Sequence, residues 1–392
     1  MNKNKKYGSD SARTSLLMVW LAYVVLLGLF NKIFYPLLAL PDSRMGHDYA
    51  LTLVAWLDGF IWFRNNGLDV PWFTPSFCAG QPFFADPQSG FYSLPQFINF
   101  MASPFLTALA TMWVSATLMF WGGYLLMRKV FLTGTIAAVL VGGLLMFNGF
   151  LPHRLLVGHL SYHGFALTPL IALLLLVKTN SRMNNLAAAC AAGLMLAYWV
   201  HSGLGTLIVP AGLAIFMLAV VYGLAGGSLA QFAVRSALAA VIGLGVAMSK
   251  LWVAYSFLSN FPRTFYPLPG ATSVMDAITI LLGSLFLPSQ WAFDIGAPRL
   301  TNVQWGLAPH EWAYNFGIAT GLLLLALLVN RIRQHDWHSR ITRGKIVLWG
   351  LLFLCLVWPL AFNLYDPTWN SFLKTIPIIN SVKKATTEYL SS

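Results

Sequence analysis

Of 392 residues, 58% are hydrophobic and 9% charged, a balance that excludes both an ordinary soluble enzyme and a disordered chain and fits a polytopic membrane protein. The formal charge of +12 would suggest nucleic acid if it lay in patches on a soluble domain. The basic residues sit instead in short turns between apolar runs, as orientation signals do, so no nucleic-acid partner is expected. Three cysteines, Cys78, Cys190 and Cys355, give no disulfide framework.

Residues 1–14 form a basic N-terminus. The apolar run from Leu16 to about Leu40 is too long for a signal-peptide core of roughly 7–15 residues and is expected to stay as a membrane helix. A span needs about 20 apolar residues. Nine stretches qualify or nearly do: 15–38, 105–127, 131–151, 163–178, 185–201, 206–226, 232–258, 313–330 and 345–363. The expected fold is therefore an all-α polytopic membrane protein of about nine transmembrane helices within 15–363. Arg128 and Lys129 follow the second stretch, Lys178 and Arg182 the fourth, Arg235 the sixth, and Arg331, Arg333, Arg340, Arg343 and Lys345 the eighth. This pattern predicts a cytoplasmic N-terminus and an outer tail over 364–392.

Of the twelve acids, only Asp10 and Asp336 then fall inside. Carboxylates contribute little to orientation, so their collection on the outer side asks for a polar site there. A long first outer loop, 41–104, holds Asp42, Asp48, Asp58, Asp69 and Asp86. Leu51, Leu53, Val54, Leu57, Ile61 and Trp62 recur at near-helical spacing, predicting an amphipathic interfacial helix. Beyond Gly67 the loop is rich in Pro, Gly and aromatic residues up to Pro95, the composition of a fixed loop. A second outer loop, 260–312, contains an apolar stretch over 275–288 too short to span.

Four constellations collect on the outer side: His47-Asp48, Asp86-Pro87-Gln88, the group His153, Arg154, Gly158, His159 and His163, and His310-Glu311-Trp312. His159 and His163 share a face if helical and read two ways, as interfacial histidines with hydrogen-bond partners or, with a carboxylate, as ligands of a divalent cation. Asp48 reads two ways: a base with a carboxyl near apolar surface, or the N-cap of the helix that follows. Asp86-Pro87 reads as a turn or a second site acid. Lys250 lies inside the seventh stretch, where a charge is costly: it either snorkels to the surface or, with Arg263, suits a phosphate.

The string Gly80-Gln81-Pro82-Phe83-Phe84-Ala85-Asp86-Pro87-Gln88-Ser89-Gly90-Phe91-Tyr92, with Gly158-His159, Pro169-Leu170 and His310-Glu311-Trp312-Ala313-Tyr314-Asn315-Phe316-Gly317, resembles the YfhO-like branch of the GT-C membrane glycosyltransferases. The resemblance runs from about residue 15 to 385. It implies a bacterial inner-membrane enzyme that moves a sugar, with inversion, from a polyprenyl-phosphate donor to a glycan, lipid or protein acceptor on the outer face. It also implies Asp48 as general base, and Asp86 stays the second catalytic candidate. Lys250, Arg263 and Arg154 become candidates for the donor phosphate. His47, His159, His163 and Glu311 become candidates to position substrate or hold a divalent metal, which some relatives bind. Relatives usually continue into further spans, so this chain is expected to be a short form, a truncated product or a degenerate member of the pattern. The competing reading is a non-catalytic protein, either a transporter of lipid-linked sugars or an assembly scaffold. A transporter would concentrate ionisable groups at mid-depth, whereas here the acids collect at one surface.

Overall fold

A computed structural model of the chain describes residues 3–38, 45–46, 48–76, 80–179, 181–203, 208–260, 271 and 273–299, with isolated positions beyond. Two compact units divide it, Met1–Asn260 and Phe261–Ser392. Among the described residues, five helical stretches are long and apolar enough to cross a bilayer: Leu16–Leu38, Pro104–Lys129, Thr135–Leu156, Arg182–His201 and Leu229–Phe257. With only one two-residue ladder of strand among the described residues, this is an all-α membrane protein. The five coincide with the first, second, third, fifth and seventh expected spans. The fourth and sixth are shorter, Leu160–Leu176 and Ile208–Leu224. The eighth and ninth lie almost wholly outside the described residues, and the 364–392 tail entirely so.

Helix α1 (Lys3–Leu38) buries one stripe, Val19, Tyr23, Phe30, Phe34 and Leu38. Over 16–31 its other face, including Leu17, Trp20, Leu21, Val24 and Val25, is exposed and apolar, with Lys32 exposed further along, as suits a helix solvated by lipid. Helix α2 (Tyr49–Asn66) follows, then β1 (Phe73–Thr74), β2 (Gln81–Pro82) and α3 (Leu94–Asn99). Helix α4 (Pro104–Lys129) starts on the Ser103 cap, whose hydroxyl accepts from Leu106 N, with Pro104 where no N–H is needed. Tyr23 Oη and Thr117 Oγ1 are hydrogen-bonded at 2.8 Å, and Trp113 Nε1 donates to Asn31 Oδ1 at 3.1 Å, tying α1 to α4.

Then come α5 (Thr135–Met146), α6 (Phe150–Leu156), a 3₁₀ helix (Leu160–Leu167), α7 (Thr168–Leu176), α8 (Arg182–His201), α9 (Ile208–Leu224) and α10 (Leu229–Asn260). Helices α8 and α10 meet backbone to backbone. A Cβ on Gly193 would lie 2.8 Å from Ala239 O, and Ala189, Ala192, Ala197, Ala239 and Ala247 are buried. In lipid, where burial of apolar surface drives no association, such small residues let dispersion act at close range.

Two buried cations fix the ends of α10. Arg235 Nη1 donates to the carbonyls of Leu174 (3.0 Å) and Val177 (2.6 Å), Nη2 to Thr179 Oγ1 (2.6 Å), and Nε to Asn185 Oδ1 (2.9 Å). It thereby satisfies carbonyls that the C-terminus of α7 leaves orphaned. Fifteen residues on, about 22 Å along the helix, Lys250 meets the 84–89 loop. The first loop and the 177–185 turn therefore sit at opposite ends of the bundle.

Helix α2 packs inward through Tyr49, Trp56 and Gly59, and Gln96 and Asn99 of α3 donate to Trp56 O at 3.2 and 3.4 Å. Leu57 and Ile61 face away from the protein, while Leu53 packs against the buried core and Leu51 borders the cavity beside Asp48, so the apolar residues read from sequence are divided between the outside and the protein. Asp58 accepts from the hydroxyls of Thr74 and Ser76. That acid organises the β1–β2 ladder rather than a site. In the second unit, α11 (Val274–Phe286) begins on the Ser273 cap and α12 (Ser289–Gly296) follows. Asp276 Oδ1 lies 3.4 Å from Arg299 Nε.

Candidate functional site

The site is built where the start of α2 lies against the turn between α6 and the 3₁₀ helix. Asp48 N donates to Val157 O at 3.0 Å, Tyr49 Oη to Leu155 O at 2.8 Å, and Thr52 Oγ1 to Gly158 O at 2.8 Å. Gly158 makes this approach feasible: its φ is +93°, and a Cβ would stand 2.4 Å from Tyr49 N. The Tyr49 phenol is fully buried, and burial pushes its pKa above the ordinary value.

The N-cap reading of Asp48 is corrected. Its backbone is helical (φ −68°, ψ −4°) rather than extended, and its side chain makes no cap hydrogen bond. Oδ2 instead bonds His159 Nε2, and the Asp48 side chain stays 51% exposed. On the other side of that ring, Arg154 Nη1 lies 3.3 Å from Nδ1. A guanidinium only donates, so Nδ1 must accept, and the imidazole proton belongs on Nε2, pointing at Asp48. The Arg154 guanidinium is buried between the rings of Phe150 and Tyr162, 5.7 and 5.6 Å from their centroids.

Asp86 comes from the other side of the first loop. Its Oδ1 accepts from Gln88 N at 2.9 Å, closing an Asx turn. Lys250 Nζ donates to Phe84 O (2.7 Å), Asp86 O (2.8 Å) and Ser89 O (3.2 Å) and lies 5.0 Å from the Phe84 ring centroid. Opposite this brace, a Cβ on Gly203 (φ +83°) would lie 2.4 Å from Gln88 O. The loop is held on two sides.

Asp48, Asp86, His159 and His163 line one cavity of about 460 Å³, together with Thr52, Trp56, Gln81, Phe83, Gln88, Ser89, Phe91, Ser93, Gln96, Tyr162 and Ser202. Four sequence candidates thus converge. Two others are corrected in role. The three N–H groups of Lys250 are all taken by loop carbonyls, leaving no donor for a phosphate. Arg154 stands behind His159 and does not line the cavity. His47, Arg263 and Glu311 lie outside the described residues.

The shared face of His159 and His163 is also corrected. The segment is a 3₁₀ helix that begins after His159, and at about three residues per turn positions four apart point about a third of a turn away from each other. His163 Nδ1 bonds Leu160 O and Nε2 bonds the Tyr198 hydroxyl, both at 2.5 Å. Among the described residues no group of three His, Cys, Asp or Glu side chains is placed to hold a metal ion.

His163 also borders a second, apolar cavity of about 330 Å³, lined by Leu94, Phe97, Val114, Leu118, Leu167 and Tyr198 among others. Tyr198, Gly203 and Thr52 were not singled out by sequence, and Ser89 only as a letter of the 80–92 string. Gly203 alone carried a signal, a glycine just past a helix end, but its contact with Gln88 is tertiary. Compared with known proteins, the chain matches no family model and no curated protein.

Proposed function

We propose that the protein is a membrane glycosyltransferase of GT-C type, transferring a sugar from a polyprenyl-phosphate donor to an acceptor hydroxyl, with Asp48 as general base. The observation that carries this reading is the Asp48 carboxylate at the wall of a polar cavity, oriented by His159 Nε2–H, with His159 held in turn by Arg154. One carboxylate oxygen is engaged by the imidazole, and half the side chain remains accessible to substrate. In the reaction, the carboxylate takes the proton of the acceptor hydroxyl as its oxygen bonds the anomeric carbon. The anomeric C–O bond breaks on the opposite face, and the polyprenyl phosphate leaves with the electron pair. Arg154 and Lys250 are positioning residues in this account, one acting through His159 and the other through the loop bearing Asp86. Arg263, outside the described residues, remains from the sequence a candidate for the phosphate.

The apolar cavity beside His163 suits a hydrocarbon chain, which supports a lipid-borne donor. The exposed Leu57 and Ile61 support α2 as an interfacial helix on the outer surface of a bacterial inner membrane. We infer a nine-span topology with a cytoplasmic N-terminus on the same positive-inside argument that the sequence provides. The test is release of polyprenyl phosphate by purified protein from a panel of polyprenyl-phosphate sugars, with a parallel EDTA sample. Donor-dependent release that disappears in Asp48→Asn is expected. Binding of donor without release by wild type would instead favour a transporter or scaffold.

A further inference from the structure

We propose that the cavity between Asp48 and Asp86 is the acceptor subsite, and that it takes an uncharged glycan unit, with Ser89 and Asp86 reading its hydroxyls. This rests on the reading of Asp48 as the base. The chemistry of the walls carries the argument. Two carboxylates and the amide of Gln88 surround the space, with Trp56 and Phe91 offering apolar surface. Among the described residues lining it there is no Lys or Arg. The nearest buried cations are turned elsewhere: Lys250 toward loop carbonyls, Arg154 toward His159.

A polyol matches these walls. Its hydroxyls donate to the carboxylates and accept from amide N–H groups, while its C–H faces cover the rings. A phosphate or carboxylate ligand would bring a third negative charge beside two others.

The second observation is Ser89 itself. It is 7% exposed and lines the cavity, and its Oγ is buried with no hydrogen-bond partner among the described residues. Buried hydroxyls are ordinarily paired, because leaving one unpaired costs stability. The Lys250 brace uses the Ser89 carbonyl, so the hydroxyl has no part in holding the loop. Its natural partner is a ligand hydroxyl.

The test uses the full chain in lipid nanodiscs, free of glycoside detergent. Ligand-observed NMR titration reads binding of uncharged methyl hexosides and disaccharides covering the common epimers, beside glucose 1-phosphate and glucuronic acid. At least one uncharged sugar is expected to bind with Kd below about 10 mM. The anionic sugars should bind roughly tenfold or more weakly, and Ser89→Ala should weaken the uncharged sugar by roughly tenfold. The same substitution leaves the thermal unfolding midpoint unchanged or raises it, since it removes an unpaired buried hydroxyl. Asp86→Asn, which keeps the Asx turn, should narrow the discrimination against anionic sugars.

The proposal is overturned if no uncharged sugar binds at about 10 mM, if glucose 1-phosphate binds as tightly, or if Ser89→Ala leaves binding unchanged. Binding requires no turnover, so the two readings fail separately. Sugar binding in a protein that releases no polyprenyl phosphate refutes the transferase alone. Turnover with preference for anionic acceptors refutes the subsite alone.

Discussion

Replacing Lys250 with methionine keeps the length of the stem and removes every donor, so it isolates what the ammonium does. Three buried carbonyls, those of Phe84, Asp86 and Ser89, lose a charged partner. Each unpaired acceptor costs about 1–3 kcal/mol, and relief of the desolvation of a buried charge offsets part of the sum. A net of about 3 kcal/mol is expected. Because the carbonyls belong to a loop, the chain can recover them by swinging the loop into water, so the loss should appear as local opening rather than global unfolding. At 1.4 kcal/mol per decade, about 3 kcal/mol raises the open population roughly a hundredfold. The assay is the alkylation rate of Ala85→Cys, a position 6% exposed in the loop, after Cys78, Cys190 and Cys355 are replaced by serine. Lys250→Met should label roughly a hundredfold faster, while Trp252→Ala, at an exposed position two residues on, should not. Equal labelling rates, combined with loss of donor binding, would refute the brace and return Lys250 to the phosphate.

Gly158→Ala should destabilise by about 3 kcal/mol, combining left-handed backbone strain with a Cβ driven into the Asp48–Tyr49 peptide. Thermal unfolding should shift accordingly, with turnover falling in parallel. Arg154→Met frees His159 to place its proton on either nitrogen. Nitrogen NMR of histidine-labelled protein should show His159 losing its single tautomer, and an unchanged spectrum would break the Arg154–His159 link. Folding raises the pKa of Tyr49, so the native state holds that proton more tightly than the unfolded chain. The resulting stability is complete below the unfolded phenol value of about 10 and declines as pH rises beyond it. Tyr49→Phe should lose about 1 kcal/mol at neutral pH and flatten the alkaline decline in unfolding midpoint.

Much of the frame could be read from sequence because it follows from solvent. Long apolar runs such as Leu16–Leu38 can only be helices in lipid, and the periodic residues from Leu51 to Ile61 mark α2 whether its apolar face meets protein or membrane. The convergence of Asp48, Asp86 and His159 was legible as a collection of polar residues, since an otherwise apolar chain has few reasons to gather them. The roles of Lys250 and Arg154 were not legible. A buried cation looks the same in sequence whether it waits for a phosphate or already holds backbone carbonyls, and only the paths of the 84–89 loop and the His159 ring decide. The same holds for Asp48. Its position before a helix suggested a cap, and the contact that displaced that role lies 111 residues away at His159. The spacing of His159 and His163 misled because it assumed α-helical geometry where the chain tightens to 3₁₀.

The most direct test of the account separates binding from chemistry at Asp48. Donor affinity and turnover number should be measured for wild type and Asp48→Asn with the same polyprenyl-phosphate sugar. If Asp48 is the base, affinity stays within about twofold while turnover falls by roughly 10²–10⁴. Turnover that survives the substitution, or that falls only in proportion to lost affinity, would contradict a catalytic role for this carboxylate.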